Sequence, residues 1–209
     1  MKKLILISTF YFAINFIYAQ SISTEYYPSG NKKAEGISIK QGLWIYYYED
    51  GQKQSQGFYK NGLKDSTWIW WDVNGKIQKQ GSYKNDVEDG KWISYFANGK
   101  MKESLEYSMG KKNGIWTFYY DTGDKEREES YLLDKKVGTW KMWYNTKQLK
   151  SEGAYDNNEK TGKWVTYHWN GKTESEGGYN NGKQDGTCTK WDENGEIAER
   201  ANYMNGKRK

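Results

Sequence analysis

The sequence contains very little cysteine, proline or histidine. Of its 209 residues, one is cysteine (Cys188), one is proline (Pro28) and one is histidine (His168). A single cysteine excludes an internal disulfide, and a lone thiol lacks the further ligands that a metal site needs. No nucleophile or metal-ligating cluster accompanies His168, so we interpret it as a solvated or packed strand residue.

Strong net charge and long apolar runs are also missing. The 32 basic and 27 acidic residues leave a net charge of +5, too small an excess to indicate a nucleic-acid partner. No segment after residue 17 is apolar enough to span a bilayer. No glycine-rich segment has the spacing of a phosphate-binding loop before a helix. We therefore expect a non-enzymatic protein with no catalytic residue, cofactor or metal.

The first residues have the pattern of a secretory signal peptide. Met1-Lys2-Lys3 is basic, residues 4–17 are mostly apolar, and Ala19 is followed by Gln20. The pattern predicts cleavage after Ala19 and export to the periplasm, cell surface or extracellular space. An uncleaved anchor is the alternative, since the bulky Ile17 lies three residues before that site. After cleavage we expect no membrane-spanning segment.

Aromatic residues recur at a fixed interval. The mean hydropathy of −1.10 and the 28% of charged residues would suit a disordered chain, but 17% of the residues are aromatic. Seven tyrosines are each 24 residues apart: Tyr59, Tyr83, Tyr107, Tyr131, Tyr155, Tyr179 and Tyr203. An unbroken period of this length indicates a repeat architecture, and such arrays usually work as extended surfaces.

Each unit predicts a β-hairpin. In residues 90–113, strands are expected at about 91–96 and 101–107, joined by a tight turn at Asn98-Gly99. A second turn near Gly110 leads into the next unit. The fold class is therefore all-β, an elongated single-sheet meander of antiparallel hairpins. The predicted divisions are a signal peptide (1–19), a partial repeat or cap (20–41) and seven repeats (42–65, 66–89, 90–113, 114–137, 138–161, 162–185 and 186–209).

The side-chain pattern predicts one packed face. In one second strand, Ile77, Gly81 and Tyr83 alternate with polar residues, so we assign these three to the packed face. The missing side chain at Gly81 leaves room for a large ring from a neighbouring strand. The candidate rings open the units: Trp44, Trp68, Trp92, Trp116, Trp140 and Trp164, with Cys188 in the last unit as a small buried substitute.

A second aromatic residue follows three positions after each of these: Tyr47, Trp71, Tyr95, Tyr119, Trp143, Tyr167 and Trp191. An odd offset places the two rings on opposite faces of a regular strand, whereas a bulge could bring both to one face. The sequence leaves both arrangements open.

Two sets of residues are candidate binding surfaces. The turns between units carry Lys64, Lys112, Lys136 and Lys160, a basic row that could meet an anionic lipid or an acidic partner. Solubility and protection of the sheet edge would explain the same residues. Aromatic residues between the two ring rows, Tyr46, Trp70 and Phe118, could stack on sugars or contact a protein, or could belong to the core.

The repeated pattern G-x-W-x-x-[YW]-x-x-x-G-(x)5-G-x-Y-x-x-G resembles the MORN repeat in its bacterial variant form. GLWIYYYEDGQKQSQGFYKNG and GKWVTYHWNGKTESEGGYNNG carry it best, and the resemblance extends from about residue 26 to residue 209. Bacterial proteins built this way include the YwqK family, labelled as antitoxins. The resemblance implies a scaffold that binds another protein and brings no catalytic residues with it.

Three functions follow as hypotheses. The first is an exported scaffold for protein–protein interaction. The second is binding of a cell-surface glycan or a phospholipid through the aromatic and basic rows. The third is an antitoxin-like or immunity protein that neutralises a toxin, a role that an export signal does not suit if the toxin is cytoplasmic.

Overall fold

The computed structural model describes residues 21–209, which form a single antiparallel β-sheet of 21 strands. The expected signal peptide, residues 1–19, lies outside the described residues. The strands are β1 (Ile22–Tyr26), β2 (Lys32–Ile37), β3 (Gln41–Tyr47), β4 (Lys53–Lys60), β5 (Leu63–Trp71), β6 (Ile77–Lys84), β7 (Val87–Glu88), β8 (Gly90–Tyr95), β9 (Met101–Ser108), β10 (Lys111–Lys112), β11 (Gly114–Tyr119), β12 (Lys125–Leu132), β13 (Lys135–Lys136), β14 (Gly138–Trp143), β15 (Leu149–Asp156), β16 (Glu159–Tyr167), β17 (Thr173–Asn180), β18 (Lys183–Gln184), β19 (Gly186–Trp191), β20 (Ile197–Met204) and β21 (Lys207–Arg208). Residues 21–209 contain no helix of the length and apolarity that crossing a bilayer needs.

The strands pair in the order in which they follow one another along the chain. Strand β3 pairs with β2 and β4, β5 pairs with β4 and β6, and the same order continues to β20 and β21. Four of the two-residue strands, β7, β10, β13 and β18, lead directly into the strand that follows, so β6 pairs with both β7 and β8. The predicted all-β meander of antiparallel hairpins is confirmed.

Two kinds of turn alternate along the meander. Between units the loop has two residues, both with positive φ, as at Asn61 (53°) and Gly62 (81°), which is the geometry of a type I′ turn. Within a unit, Gly75 (φ 77°) donates its N–H to the Asp72 carbonyl (3.0 Å), while the N–H of Asp72 pairs with the Lys76 carbonyl. That pattern is a three-residue hairpin loop in which only the glycine is left-handed, so the tight two-residue turn expected there is replaced by a longer one.

The longer turn shifts the register of each hairpin by one residue. Trp70 pairs with Lys79, whereas Trp71 pairs with Ile77, so Gln78 has no partner in the ladder. Ile77 therefore lies on the face of Trp71 and not with Gly81 and Tyr83. The assignment of Ile77 to the packed face was wrong, because the bulge reverses side-chain alternation at that point.

The two aromatic rows lie on opposite faces. Trp44 pairs with Gly36, whereas Glu35 pairs with Ile45 and accepts a hydrogen bond from the Tyr47 hydroxyl. We call the side that carries the unit-opening tryptophans and the seven repeated tyrosines the aromatic face, and the side of Tyr47 the opposite face. The bulge lies on the partner strand, so the strand of Tyr47 keeps its regular side-chain alternation. Tyr47 therefore lies on the face opposite Trp44.

The core is a single layer of rings on the aromatic face. Trp44 and Trp68 are 2% and 1% exposed, and with Ala34 and Tyr59 they form a buried cluster. A Cβ atom built at Gly57 or Gly81 would overlap the indole of Trp68 or Trp92, so the space predicted at these glycines is filled by the neighbouring ring. No second sheet or helix of residues 21–209 covers this layer.

Candidate binding surface

The backbone fixes each unit-opening tryptophan through its indole N–H. Trp68 Nε1 donates to the Phe58 carbonyl (3.1 Å) and Trp92 Nε1 to the Ser82 carbonyl (3.1 Å), in both cases the residue just before a repeated tyrosine. The tryptophans at 116, 140 and 164 do the same over 2.8–3.2 Å. A register shift after Gly57 lies beside the accepting carbonyl. The bulge that opens each unit thus sits where the indole of that unit is anchored.

The repeated tyrosines lie between successive tryptophans. Where glycine stands two residues before the tyrosine, the rings meet almost at right angles, at 86° for Tyr59 and Trp68 with centroids 5.1 Å apart. Where Leu105 replaces that glycine, Trp116 tilts, and its ring makes 61° with Tyr107. Edge-to-face pairs of this kind add about 0.5–1.5 kcal/mol each to the burial of the rings.

Each lysine of the predicted basic row lies over a tryptophan of the aromatic face. The Nζ atoms of Lys64, Lys112, Lys136 and Lys160 are 4.6, 4.3, 4.7 and 4.0 Å from the ring centroids of Trp68, Trp116, Trp140 and Trp164. Each is also within 5.1 Å of the following repeated tyrosine. Burial lowers the pKa of Lys64 and of Lys160. These ammonium groups are half-buried cation–π partners of the protein's own rings.

The three candidate aromatic residues extend the same face. Tyr46 and Trp70 pack against the buried cluster, and Trp70 stacks on Trp92 with centroids 5.7 Å apart. Phe118 lies under the guanidinium of Arg127, at 3.7 Å. All three are half-buried, so each offers part of its ring to solvent. Whether they bind a partner stays a prediction.

A set of contacts that the sequence did not predict ties four of the units to the unit that follows. The hydroxyls of Tyr48, Tyr120 and Tyr144 donate to the carbonyls of Trp71, Trp143 and Tyr167, each over 2.8 Å. His168 occupies the same place, and its Nε2 donates to the Trp191 carbonyl (2.9 Å). The single histidine therefore has a structural role that tyrosine fills in other units. Comparing the residue four places after each unit-opening tryptophan would have indicated this role.

Cys188 takes the tryptophan position in the last unit. Its sulfur lies against Gly177 and the side chain is half-buried, and burial raises the pKa of the thiol. Within residues 21–209, no group of three histidine, cysteine, aspartate or glutamate side chains has an arrangement that could hold a metal ion.

Beside Trp92, two positions of the aromatic face carry residue types that differ from those in the other units. The row of Tyr46 and Trp70 continues as Ser94, and the lysine row is interrupted by Glu88. These replacements leave a pocket of about 160 Å³ beside Trp92 and Tyr107. Sequence reasoning missed this pocket, although the two substitutions that form it were visible when the repeats were aligned.

Comparison with known proteins identifies the repeat. A family profile described as "MORN repeat variant" matches residues 40–61, 64–85, 88–109, 112–132, 136–157 and 184–205. Three solved structures, of TcdB2-TccC3-TEV, TcdB2-TccC3-Cdc42 and TcdB2-TccC3, align with 87%, 89% and 88% of the chain at 9%, 8% and 7% identity, with TM-scores of 0.22, 0.18 and 0.19. The chain spans 12–14% of the length of those structures. The search of curated proteins gave no match.

Proposed function

The chain belongs to the MORN repeat variant family, and from this premise we propose that it is an exported, non-enzymatic scaffold that binds another protein along its aromatic face. The observation that carries the proposal is the single-layered core. The rings of the aromatic face are packed against one another, yet no second layer of residues 21–209 covers them. Beside these buried rings, Tyr46, Trp70 and Phe118 keep part of their aromatic surface exposed, and exposed aromatic side chains are typical of protein interfaces.

The aromatic composition supports a protein partner. Tyrosine and tryptophan are the side chains most enriched among the residues that dominate binding energy in protein interfaces. Tyr46 and Trp70 each keep part of an apolar ring exposed, and Trp70 also carries an indole N–H, which suits an interface that is partly wet.

The lysine row gives less support to an anionic lipid than its sequence spacing suggested. Lys112 and Lys160 are already engaged with the rings beneath them, at 4.3 and 4.0 Å. Contact with a headgroup would have to compete with these cation–π interactions, worth about 0.5–2 kcal/mol each. We therefore place lipid and glycan binding second to protein binding.

Paired variants on the two faces test the proposal. Tyr46→Thr with Phe118→Thr removes aromatic surface, and threonine occurs naturally at the equivalent position, Thr166. The matched control is Leu43→Thr with Ile115→Thr on the opposite face, where both apolar side chains are exposed. Both variants should remain folded, as judged by circular dichroism and thermal unfolding.

The readout is cross-linking of purified wild-type and variant protein to envelope and secreted proteins of the source cells. We expect a defined protein partner that the aromatic-face variant loses by at least about tenfold in affinity and the control retains. Equal binding by the two variants would contradict the assignment of the face. Competition by anionic vesicles or by cell-wall glycan that removes the complex would favour the second function.

The proposed export rests on residues 1–19 of the sequence. Fractionation of cells that express the full chain, followed by N-terminal sequencing of the product, tests it. We expect Gln20 as the first residue of an extracytoplasmic protein. A cytoplasmic product that retains Met1 or Lys2 would contradict the proposed export and would leave the binding proposal unaffected.

A further inference from the structure

The pocket of the third unit arises from two replacements that occur side by side. Four of the seven repeats have lysine at the position of Glu88, and two earlier strands have an aromatic ring at the position of Ser94. Here the first is acidic and the second is small. The walls of the pocket are the rings of Trp92 and Tyr107, the side chain of Leu105 and polar side chains that include Glu88.

The other units show what this geometry binds. Over the aromatic pair of the next unit, the ammonium of Lys112 lies 4.3 Å from the Trp116 centroid and 4.9 Å from that of Tyr131. Trp92 and Tyr107 are the same pair one repeat earlier, and Glu88 replaces the lysine that would lie over them. The pairs that begin with Trp68, Trp116, Trp140 and Trp164 thus each hold a lysine ammonium, whereas the equivalent position beside Trp92 and Tyr107 is Glu88.

Two carboxylates line the pocket. The Glu103 carboxylate accepts a hydrogen bond from Ser94 Oγ (2.8 Å) and lines the pocket together with Glu88. Among the ion pairs of residues 21–209, none includes either carboxylate. Burial first, and then the charges of Glu88, Glu103 and Asp134, raise the pKa of Tyr107 to about 12.

We propose that this pocket receives the primary ammonium group of a lysine side chain presented by the partner protein. The aromatic pair supplies the ring faces, as in the other units, and Glu88 and Glu103 supply acceptors for the N–H groups. Only the identification of the source as a protein rests on the proposed scaffold function. A water molecule takes up ~30 Å³ in the liquid, so the pocket has the volume of about five water molecules. That number equals the number of heavy atoms in a lysine side chain.

Lys79 is the one basic side chain among the residues that line the pocket. Its ammonium lies 4.5 Å from the centroid of Trp70. It weakens the negative potential of the pocket without occupying the position over Trp92. Removal of this charge should therefore strengthen binding of a cation.

A titration followed by NMR tests the proposal on the full chain. N-acetyl-lysine amide is the probe, and its neutral isostere N-acetyl-norleucine amide is the control. The readout is the shift of the Trp92 indole N–H, which donates to the Ser82 carbonyl and belongs to a ring that lines the pocket. Glu88→Lys is the decisive variant, because lysine is the native residue of four other units and should fill the pocket with the protein's own ammonium.

We expect a saturable shift at Trp92 with the lysine probe and none with norleucine. Glu88→Lys should weaken the lysine titration by at least about tenfold, and Lys79→Gln should strengthen it. A shift of equal size in the wild type and in Glu88→Lys, or equal shifts with the two probes, would overturn the proposal. The thermal unfolding of Glu88→Lys shows whether the variant is folded; Glu103→Gln is the second variant and should also weaken binding.

The source of the cation is distinguished by a third probe, butyltrimethylammonium, which carries charge but no N–H donor. Tighter binding of lysine than of this probe supports a protein lysine. Tighter binding of the quaternary probe would replace the proposed lysine with a methylated small molecule. Because these probes are free in solution, failure here leaves the cross-linking test of the scaffold unaffected.

Discussion

Substitution of Gly57 by alanine should destabilise the sheet although alanine is normally the better strand residue of the two. The added Cβ atom would overlap the Trp68 indole, which is 1% exposed and held by its hydrogen bond to the Phe58 carbonyl. Overpacking of this kind costs about 1–3 kcal/mol, and the reduced freedom of the unfolded chain returns about 0.4–1 kcal/mol. We therefore expect a net loss of about 1–2 kcal/mol.

The structure also shows how that cost is limited. Trp116, which has Leu105 in place of the glycine, makes an angle of 61° with its tyrosine, whereas Trp68 makes 86°. A tilt of the Trp68 ring can therefore relieve part of the overlap. Complete unfolding of the array is not expected from the single substitution.

Thermal unfolding monitored by circular dichroism measures the effect, with Gly177→Ala as the matched control. At Gly177 the added atom meets the sulfur of Cys188, a small side chain that can rotate away, and the next unit has Ala201 at the same position. A drop of about 2–8 °C for Gly57→Ala is expected, with little change for the control. Equal losses in the two variants, or a gain for Gly57→Ala, would refute the reasoning about ring clearance.

Three further predictions address the turns, the side-chain hydrogen bonds between units and the tyrosines. Leu133 has a φ of 48° at a position where five of the seven turns have asparagine, so Leu133→Asn should stabilise the chain by about 1 kcal/mol; a lower unfolding temperature would count against the type I′ assignment. His168→Tyr should preserve stability, and His168→Ala should cost about 1 kcal/mol through loss of the hydrogen bond to the Trp191 carbonyl. Equal stability of both variants in urea unfolding would contradict a stabilising role for this bond. Burial raises the pKa of Tyr107 and of Tyr131 to about 12, above the value of ~10 in the unfolded chain, so their stabilisation is fully present below about pH 10 and is lost as pH rises toward 12. Urea midpoints measured between about pH 8 and pH 11 should fall at the alkaline end. The lowered pKa of Lys64 acts in the opposite sense and makes this fall smaller. A flat profile would contradict the burial of the phenols.

The architecture was predictable because it depends on local residue types at a fixed period. The residue at the position of Gly62 is glycine, asparagine or aspartate in all seven turns, types that tolerate positive φ, and all seven adopt it. The contact of Trp68 with Gly57 could be inferred from a missing side chain. Repetition made each inference stronger, since seven units had to satisfy the same pattern.

The arrangement of the faces could not be read from spacing alone. Whether Trp71 joins Trp68 depends on which strand carries the bulge, and that depends on the three-residue loop at Gly75. The turn adds one residue to the second strand. Trp71 therefore stays on the opposite face, and Ile77, which pairs with it, lies on that face too. Sequence patterns specify alternation within a strand but not the register between strands.

The candidate site was predictable only in part. The lysine row was found from its period, and the even spacing between Lys64 and Trp68 is that of residues on one face of a strand, but the contact of the ammonium with the ring (4.6 Å) was not predicted. The pocket near Glu88 is a departure from the repeat. Departures become informative only when the structure shows which two positions are neighbours.

Footprinting of the complex by hydroxyl radicals tests the central claim most directly. Side-chain oxidation of Tyr46, Trp70 and Phe118 is compared with that of Tyr95 and Trp143 on the opposite face, with and without the captured partner. The account predicts that the partner protects the first group and leaves the second unchanged. Protection confined to the opposite face, or no protection of either group in a verified complex, would contradict the claim that the aromatic face is the binding surface.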